Sequence, residues 1–355
     1  MKIDARKRAC KVSALGFLMG GALIAASPAP RPQSGLPPPL ESYLTTSAHL
    51  SGDERRALLS GAPVTKLLDS DPSKEVAVLG AVWIAASPSA YVQQMMDIER
   101  FERGEAFLVT KRIGNPPSAD DFASLQLSDE DLDDLQECRA GDCEVKLSAN
   151  ALQALRAGVD WTRPTARADA NAIFRRLALQ YVLAYRDGGN ARLAVYRDKD
   201  RPTFVENEFR SMIDRLPPLA TYLPDLKRYL LDYPRVTLPN SSDFLYWQET
   251  KFGLKPTIRI SHVVIQETPQ RTVVASKMLY ASHYFWTALE VRVLLPDAAR
   301  GRGFWFITVN RSRSDGLSGF TGRFVRGRVR SEVERGTQAA LTATKAKLEG
   351  LGSAR

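Results

Sequence analysis

The distribution of apolar and polar positions divides the chain into three parts. The first part contains a nearly continuous apolar run at residues 75–84, which predicts a buried strand, and a Ser-Pro pair at 87–88, which predicts a helix start. Residues 106–112 predict another strand. From residue 118 to 234 the apolar spacing is mainly helical, as over 167–185. The last part contains five runs typical of strands, at 244–252, 257–266, 272–281, 284–295 and 303–313.

The late strands define the predicted fold class. Their connections are too short for crossover helices, so we expect the strands to pair as an antiparallel meander. A long helix is predicted over residues 317–348, with Phe324, Val325 and Leu341 in its buried stripe. The prediction is an α+β fold in which an antiparallel β-sheet packs on a long C-terminal helix. A large helical insertion is expected at about residues 114–240.

The first 26 residues have the composition of a signal peptide. A basic start is followed by an apolar run at 12–26, with small residues Ala25, Ala26 and Ser27 where a peptidase could cut. The run has 15 residues, short of the roughly 20 that span a bilayer as a helix, so a membrane anchor is the less favoured alternative. We expect an exported protein, periplasmic or extracellular. A Pro-rich linker and short helix at 27–60 precede the main domain at 61–350.

The net charge argues against a nucleic-acid partner. The whole chain carries +9, but its first 26 residues hold five Lys or Arg and one Asp, so the remainder carries +5. That value is ordinary for a protein surface of this size. Nucleic-acid binding would favour a basic stripe or a domain far from neutrality.

Two cysteines predict a short disulfide loop inside the insertion. Cys138 and Cys143 are separated by four residues that include Gly141, which permits a turn. In an oxidising compartment such a pair favours a disulfide. A zinc site needs more ligands than two sulfurs, and neither His262 nor His283 is near in sequence. No metal is therefore expected.

The order of the predicted elements resembles that of a known superfamily. Residues 75–101 run from a strand through Ala85-Ala86-Ser87-Pro88 into a helix, and residues 244–348 are a series of strands closed by a long helix. This order resembles the START-like, polyketide-cyclase-like (SRPBCC) helix-grip superfamily, over roughly half of the mature chain. The resemblance implies a curved sheet that grips the last helix. It also implies a cavity between them for sterols, phospholipids, polyketides or other apolar molecules.

The late strands supply candidate residues for such a cavity. Alternate positions carry apolar side chains with an occasional His, Ser or Tyr, which suits a mostly apolar ligand with one polar end. The alternative is an ordinary packed core in which His262 is hydrogen-bonded. The residues predicted to line the cavity are Ile260, His262, Val264, Ser276, Met278, Tyr280, Trp286, Trp305 and Phe324.

The chain contains no sequence motif of the common catalytic mechanisms. It has no Gly-x-Ser-x-Gly elbow, no His-Glu-x-x-His, no phosphate loop and no dinucleotide fingerprint, so we expect no cofactor. If the protein is an enzyme, His283 beside Tyr284 is the weak candidate for proton transfer.

Arginines on the terminal helix predict a possible membrane contact. Arg323, Arg326 and Arg330 fall roughly on one side and could meet anionic lipid headgroups. The alternative is a solvated face with acidic partners on the same helix. The favoured function is an exported, non-catalytic binding protein for an apolar small molecule or lipid. The alternatives are an envelope protein-interaction module without a cavity, and a cyclase-like or hydrolase-like enzyme of the same superfamily.

Overall fold

The structure is a computed structural model that describes residues 35–352 except Leu254, Gly316 and Ser318, and no side chains at 319–325 or 351–352. The predicted signal peptide at 1–26 lies outside the described residues. The α-helices are α1 (Pro38–Thr46), α2 (Gly52–Leu59), α3 (Pro88–Met96), α4 (Ile98–Phe101), α5 (Asp129–Glu137), α6 (Ala149–Gly158), α7 (Ala166–Gly188), α8 (Val205–Asp214), α9 (Pro217–Tyr222), α10 (Pro224–Asp232) and α11 (Gly319–Gly352).

The strands form one large sheet and one small hairpin. They are β1 (Val64–Leu67), β2 (Glu75–Ile84), β3 (Phe107–Ile113), β4 (Val195–Tyr196), β5 (Thr203–Phe204), β6 (Ser241–Phe252), β7 (Lys255–Glu267), β8 (Thr272–Ala281), β9 (Phe285–Pro296) and β10 (Phe304–Ser314). The large sheet is antiparallel, in the order β1-β2-β10-β9-β8-β7-β6-β3. Strands β6 to β10 are consecutive neighbours, which confirms the predicted α+β class and antiparallel meander.

Side chains alternate between two faces of this sheet, and different helices cover each face. We call one the α11 face, since α3, α4 and α11 pack on it; it is marked by Val82, Val263, Val274, Leu294 and Phe306. We call the other the insertion face, after the segment at about 114–240 that the sequence predicts to be an insertion. Helices α1, α2 and α5 to α10 cover it, and it is marked by Leu79, Val264, Ala275, Val291 and Ile307.

Helix α11 lies along β2, near one edge of the sheet. A Cβ atom on Gly80 would lie 2.9 Å from Leu341 Cδ1, so the glycine permits the close approach of the helix. Farther along, Glu349 accepts a hydrogen bond from the Ala85 N–H at 2.9 Å, and the Gln338 side chain donates to the Pro63 carbonyl at 3.1 Å. The predicted packing of a C-terminal helix on the sheet is therefore confirmed.

The α11 face carries a polar strip across β8, β9 and β10. Arg292 pairs with Glu290 at 2.5 Å, and the Thr308 hydroxyl donates to the other oxygen of Glu290 at 2.9 Å. Arg292 also lies 3.4 Å from the Ser276 hydroxyl. These charged and hydrogen-bonded groups differ from the apolar lining that the helix-grip resemblance implies at this place.

The segment before the sheet belongs to the folded core. Helix α1 begins at Pro38, inside the segment predicted to contain a Pro-rich linker and a short helix, and proline is well tolerated in the first helical turn. Leu36, Leu40, Leu44 and Leu58 are buried against the insertion face. From residue 36 onward this segment is docked on the sheet and contains helical structure, whereas residues 27–34 of the expected linker lie outside the described residues.

The predicted disulfide is confirmed. The sulfur atoms of Cys138 and Cys143 are 2.01 Å apart, and both residues are buried. Backbone hydrogen bonds between Arg139 and Asp142 close the loop as a tight turn. The bridge follows the last turn of α5 and closes a local loop within the segment predicted to be an insertion.

Candidate functional site: an aromatic cavity on the insertion face

Helices α6 and α7 form the roof of the candidate site. The Ser148 hydroxyl accepts a hydrogen bond from the Ala151 N–H at 3.2 Å and so caps the start of α6. In α7, Phe174, Ala178 and Tyr181 are spaced by four and three residues, which places their side chains on one helical face. This face is directed at β7 and β8.

A cavity of about 260 Å³ lies between this roof and the sheet; we call it the aromatic cavity. Apolar and aromatic side chains form most of its wall, and polar groups lie at its rim. Its lining residues are Leu125, Leu147, Ser148, Asn150, Ala151, Phe174, Leu177, Ala178, Gln180, Tyr181, Ala194, Ile258, Ile260 and Tyr280.

Tyr280 is the centre of the aromatic wall. Its ring centroid lies 6.4 Å from that of Phe174, 6.3 Å from that of Tyr181 and 6.1 Å from that of Tyr196. The Tyr181 hydroxyl donates to the Leu279 carbonyl at 2.7 Å, and the Tyr196 hydroxyl accepts from the Ala281 N–H at 3.1 Å. These two hydrogen bonds hold the neighbouring rings in place.

The Tyr280 hydroxyl differs from its neighbours. It is buried, and within the described part of the chain it has no hydrogen-bond partner. Burial raises the pKa of Tyr280 well above its ordinary value, so the phenol stays protonated and can donate. A buried polar group without a partner costs free energy, of about 1–3 kcal/mol. Tyr280 is therefore the group in this wall that gains most from a ligand carrying an acceptor.

A β-bulge brings Tyr280 to this face. Ser261 of β7 pairs with Met278 of β8, and the residue before it, Ile260, pairs with Tyr280. Leu279 is therefore an extra residue in β8. Without the bulge, strict alternation would put Tyr280 on the same face as Met278.

The bulge also separates the predicted cavity residues. Ile260 and Tyr280 line the aromatic cavity, whereas His262 and Val264 lie farther along the insertion face. Ser276 and Met278 lie on the opposite, α11 face. Trp305 packs beneath α1 and α2, Trp286 is half-buried, and the side chain of Phe324 lies outside the described residues. The eight of these residues whose side chains are described therefore do not share one cavity.

His262 belongs to a buried hydrogen-bonded group rather than to the cavity wall. Its Nδ1 lies 2.9 Å from the Tyr185 hydroxyl and its Nε2 lies 2.8 Å from Asp243. Burial lowers the pKa of His262, with Asp243 opposing the shift, which favours the neutral ring. The neutral ring then accepts from Tyr185 and donates to Asp243. The sequence allows two roles for His262, in a cavity wall or as a hydrogen-bonded residue of a packed core. This arrangement matches the second.

His283, the weak catalytic candidate, is buried with both ring nitrogens engaged. Nε2 lies 2.9 Å from Asp131 and Nδ1 lies 3.2 Å from the Glu144 carbonyl. Asp131 is itself buried. The imidazole therefore ties β9 and its preceding turn to the disulfide-bearing insertion, and the geometry offers a substrate no free ring nitrogen.

The arginines predicted to contact a membrane differ in their surroundings. Arg326 donates to the Pro72 carbonyl at 3.3 Å, and Arg330 is exposed to solvent. The side chain of Arg323 lies outside the described residues. Across residues 35–352, with the gaps noted above, no helix is long and apolar enough to cross a membrane. Peripheral contact with a membrane stays a prediction.

Phe174 and Tyr181 are functional candidates that sequence reasoning did not assign to the cavity. Their spacing does predict a buried stripe on α7, which is the signal that identifies them.

Among the described residues, no group of three or more His, Cys, Asp or Glu side chains could hold a metal ion. Comparison with models of known protein families gives no match, and comparison with curated proteins gives none either.

Proposed function

We propose that this protein is an exported, non-catalytic binding protein for a small, mostly apolar ligand that carries one hydrogen-bond acceptor. The ligand occupies the aromatic cavity and accepts a hydrogen bond from Tyr280. The observation that carries the proposal is the buried Tyr280 hydroxyl, which has no partner among the described residues and lies in a mainly aromatic and aliphatic wall with polar groups only at the rim. Pockets with a mainly apolar lining and a few placed polar groups are typical of small-molecule sites.

The size of the cavity narrows the ligand class. Its volume of about 260 Å³ lies just below the roughly 300–1,000 Å³ range of small-molecule pockets. A compound with one or two rings, or a short acyl group, suits this volume better than a phospholipid with two chains. The rings of Phe174, Tyr181 and Tyr280 favour a flat ligand, because aromatic pairs add to the energy of simple burial.

The proposal includes two expectations from the sequence. The first is export directed by residues 1–26. The second is membership of the helix-grip superfamily, which the antiparallel sheet and the helix packed on it support. The proposed site differs from the cavity that this resemblance implies, because the insertion helices rather than α11 form its roof.

A fluorescent probe tests the proposal. Acdan is a neutral two-ring fluorophore whose acetyl carbonyl accepts a hydrogen bond and whose emission shifts in an apolar site. We expect it to bind the purified protein, and Ala178→Phe to weaken binding at least tenfold by filling the cavity. Ala172→Phe is the matched control, since Ala172 is on the same helix but exposed. Equal affinity of wild type and Ala178→Phe, with both folded, would overturn the proposal.

A second variant tests the polar contact. Tyr280→Phe removes the hydroxyl and keeps the ring. We expect it to weaken acdan binding by about 2- to 13-fold, the equivalent of a hydrogen bond worth 0.5–1.5 kcal/mol. The same naphthalene without its acetyl group should bind both proteins equally. If Tyr280→Phe affects the two probes alike, the hydroxyl does not contact the ligand.

A further inference from the structure

A second concave surface lies on the insertion face, away from the aromatic cavity. Helix α1 forms one wall through Pro39, Leu40 and Tyr43. The segment from the end of α8 to the start of α10 forms the other. The floor consists of β9 and β10. We call this surface the α1–α9 groove. Its remaining lining residues are Leu216, Pro218, Leu219, Tyr222, Leu223, Arg271, Val291, Val293, Leu295, Ile307 and Val309.

The floor of the groove is an incompletely covered strip of β-branched and aliphatic side chains. Val293, Leu295 and Val309 are only half-buried, although they lie in the middle strands of the sheet. From Val291 to Leu295 the strand extends for about 13 Å. The strip is therefore long enough to receive an extended hydrocarbon chain.

The two walls are joined by an aromatic contact. The rings of Tyr43 and Tyr222 meet edge to face at 5.9 Å, and the Tyr222 hydroxyl donates to the Ser42 hydroxyl at 3.2 Å. Burial raises the pKa of Tyr43 to about 12, so this phenol carries no negative charge at neutral pH. Among the described residues that line the groove there is also no Asp or Glu.

Among the described residues that line the groove, Arg271 is the one that carries a charge. It lies at the start of β8 and is half-buried. Within the described part of the chain its guanidinium makes no hydrogen bond or ion pair. A guanidinium is suited to hold a carboxylate by two parallel hydrogen bonds. An apolar strip that ends at an unpaired cation is complementary to an amphiphile with an anionic head.

We propose that the α1–α9 groove is a second binding site, for a single-chain carboxylate amphiphile of the fatty-acid class. The acyl chain lies on the strip of Val291, Val293, Leu295 and Val309, and the carboxylate pairs with Arg271. This proposal is independent of the aromatic cavity, which is separated from the groove and has a different lining.

Calorimetric titration with decanoate, below its micelle concentration, tests the site. We expect wild type to bind, and affinity to rise by up to about fourfold per added methylene from octanoate to dodecanoate. Leu295→Trp should abolish binding by filling the floor. Leu108→Trp is the matched control, because Leu108 is a strand leucine exposed far from the groove. If Leu295→Trp fails to fold, Leu219→Trp fills the groove from the wall that contains α9.

The role of Arg271 is tested by comparing decanoate with decanol, a neutral ligand of the same chain length. Arg271→Gln should weaken decanoate binding by two- to tenfold and leave binding of decanol unchanged. Arg201→Gln, at an exposed arginine outside the groove, should change neither. Decanoate binding that survives both groove-filling variants would overturn the site. Equal binding of decanoate and decanol in all proteins would overturn the assignment of an anionic ligand. Saturating acdan should not displace decanoate, and displacement would show one shared pocket.

Discussion

Replacing Lys277 by methionine should stabilise the protein, and more so in acid than in base. Lys277 is 1 % exposed on the insertion face, under α7 and α8. Its ammonium donates to the Asn190 side chain and lies 5.3 Å from the ring centre of Tyr185 and 4.2 Å from that of Phe209. Burial lowers the pKa of Lys277 from 10.5 to about 7, with Glu206 opposing the shift only partly.

The size of the effect follows from this shift. The unfolded chain keeps the lysine proton up to a pH near 10.5, whereas the folded protein loses it near pH 7. Between these values the unfolded state binds more protons, so the stability of the wild type rises with pH. At pH 6 the buried lysine costs about 5 kcal/mol of folding free energy, and at pH 9 about 2 kcal/mol. Above pH 10.5 this cost disappears.

Urea denaturation of wild type and Lys277→Met at pH 6 and pH 9 measures the difference. The variant loses the hydrogen bond to Asn190, worth about 1 kcal/mol at either pH. We therefore expect its advantage over wild type to be about 3 kcal/mol larger at pH 6 than at pH 9. Lys251→Met, at an exposed lysine, should show no such dependence. An advantage that is the same at both pH values would refute the reasoning.

Three other predictions concern the disulfide, the terminal helix and its arginines. Cys143→Ser should lower the free energy of unfolding by about 2 kcal/mol in chemical denaturation, because it frees a short loop in the unfolded chain; no change in midpoint would contradict this. Gly80→Val should cost about 1–3 kcal/mol and perturb the near-ultraviolet circular dichroism, since its side chain would clash with Leu341; an unaltered melting temperature would argue against close packing of α11. The candidate arginines for membrane contact are Arg323, Arg326 and Arg330. Replacing all three by glutamine should weaken co-sedimentation of the protein with anionic liposomes, and unchanged binding would contradict the predicted membrane contact.

The candidate site was only partly predictable from the residues that form it. Tyr280 and Ile260 are identified as candidates by strand alternation, and the stripe of Phe174 and Tyr181 by helical spacing. The extra residue Leu279 changes the face of Tyr280, and a bulge depends on how two strands pair rather than on either strand alone. The alternation pattern therefore groups Tyr280 with Ser276 and Met278, which lie on the opposite face.

Local sequence determined the elements of this protein. The apolar run of β2 and the Ser87-Pro88 start of α3 act within a few residues, so their bounds follow from side-chain period and capping. The spacing of Cys138 and Cys143 likewise indicates their bridge. Only the tertiary structure decided which helices cover which face. Both sheet faces carry apolar positions that need burial, and the choice between α11 and the insertion helices depends on contacts between segments distant in the chain.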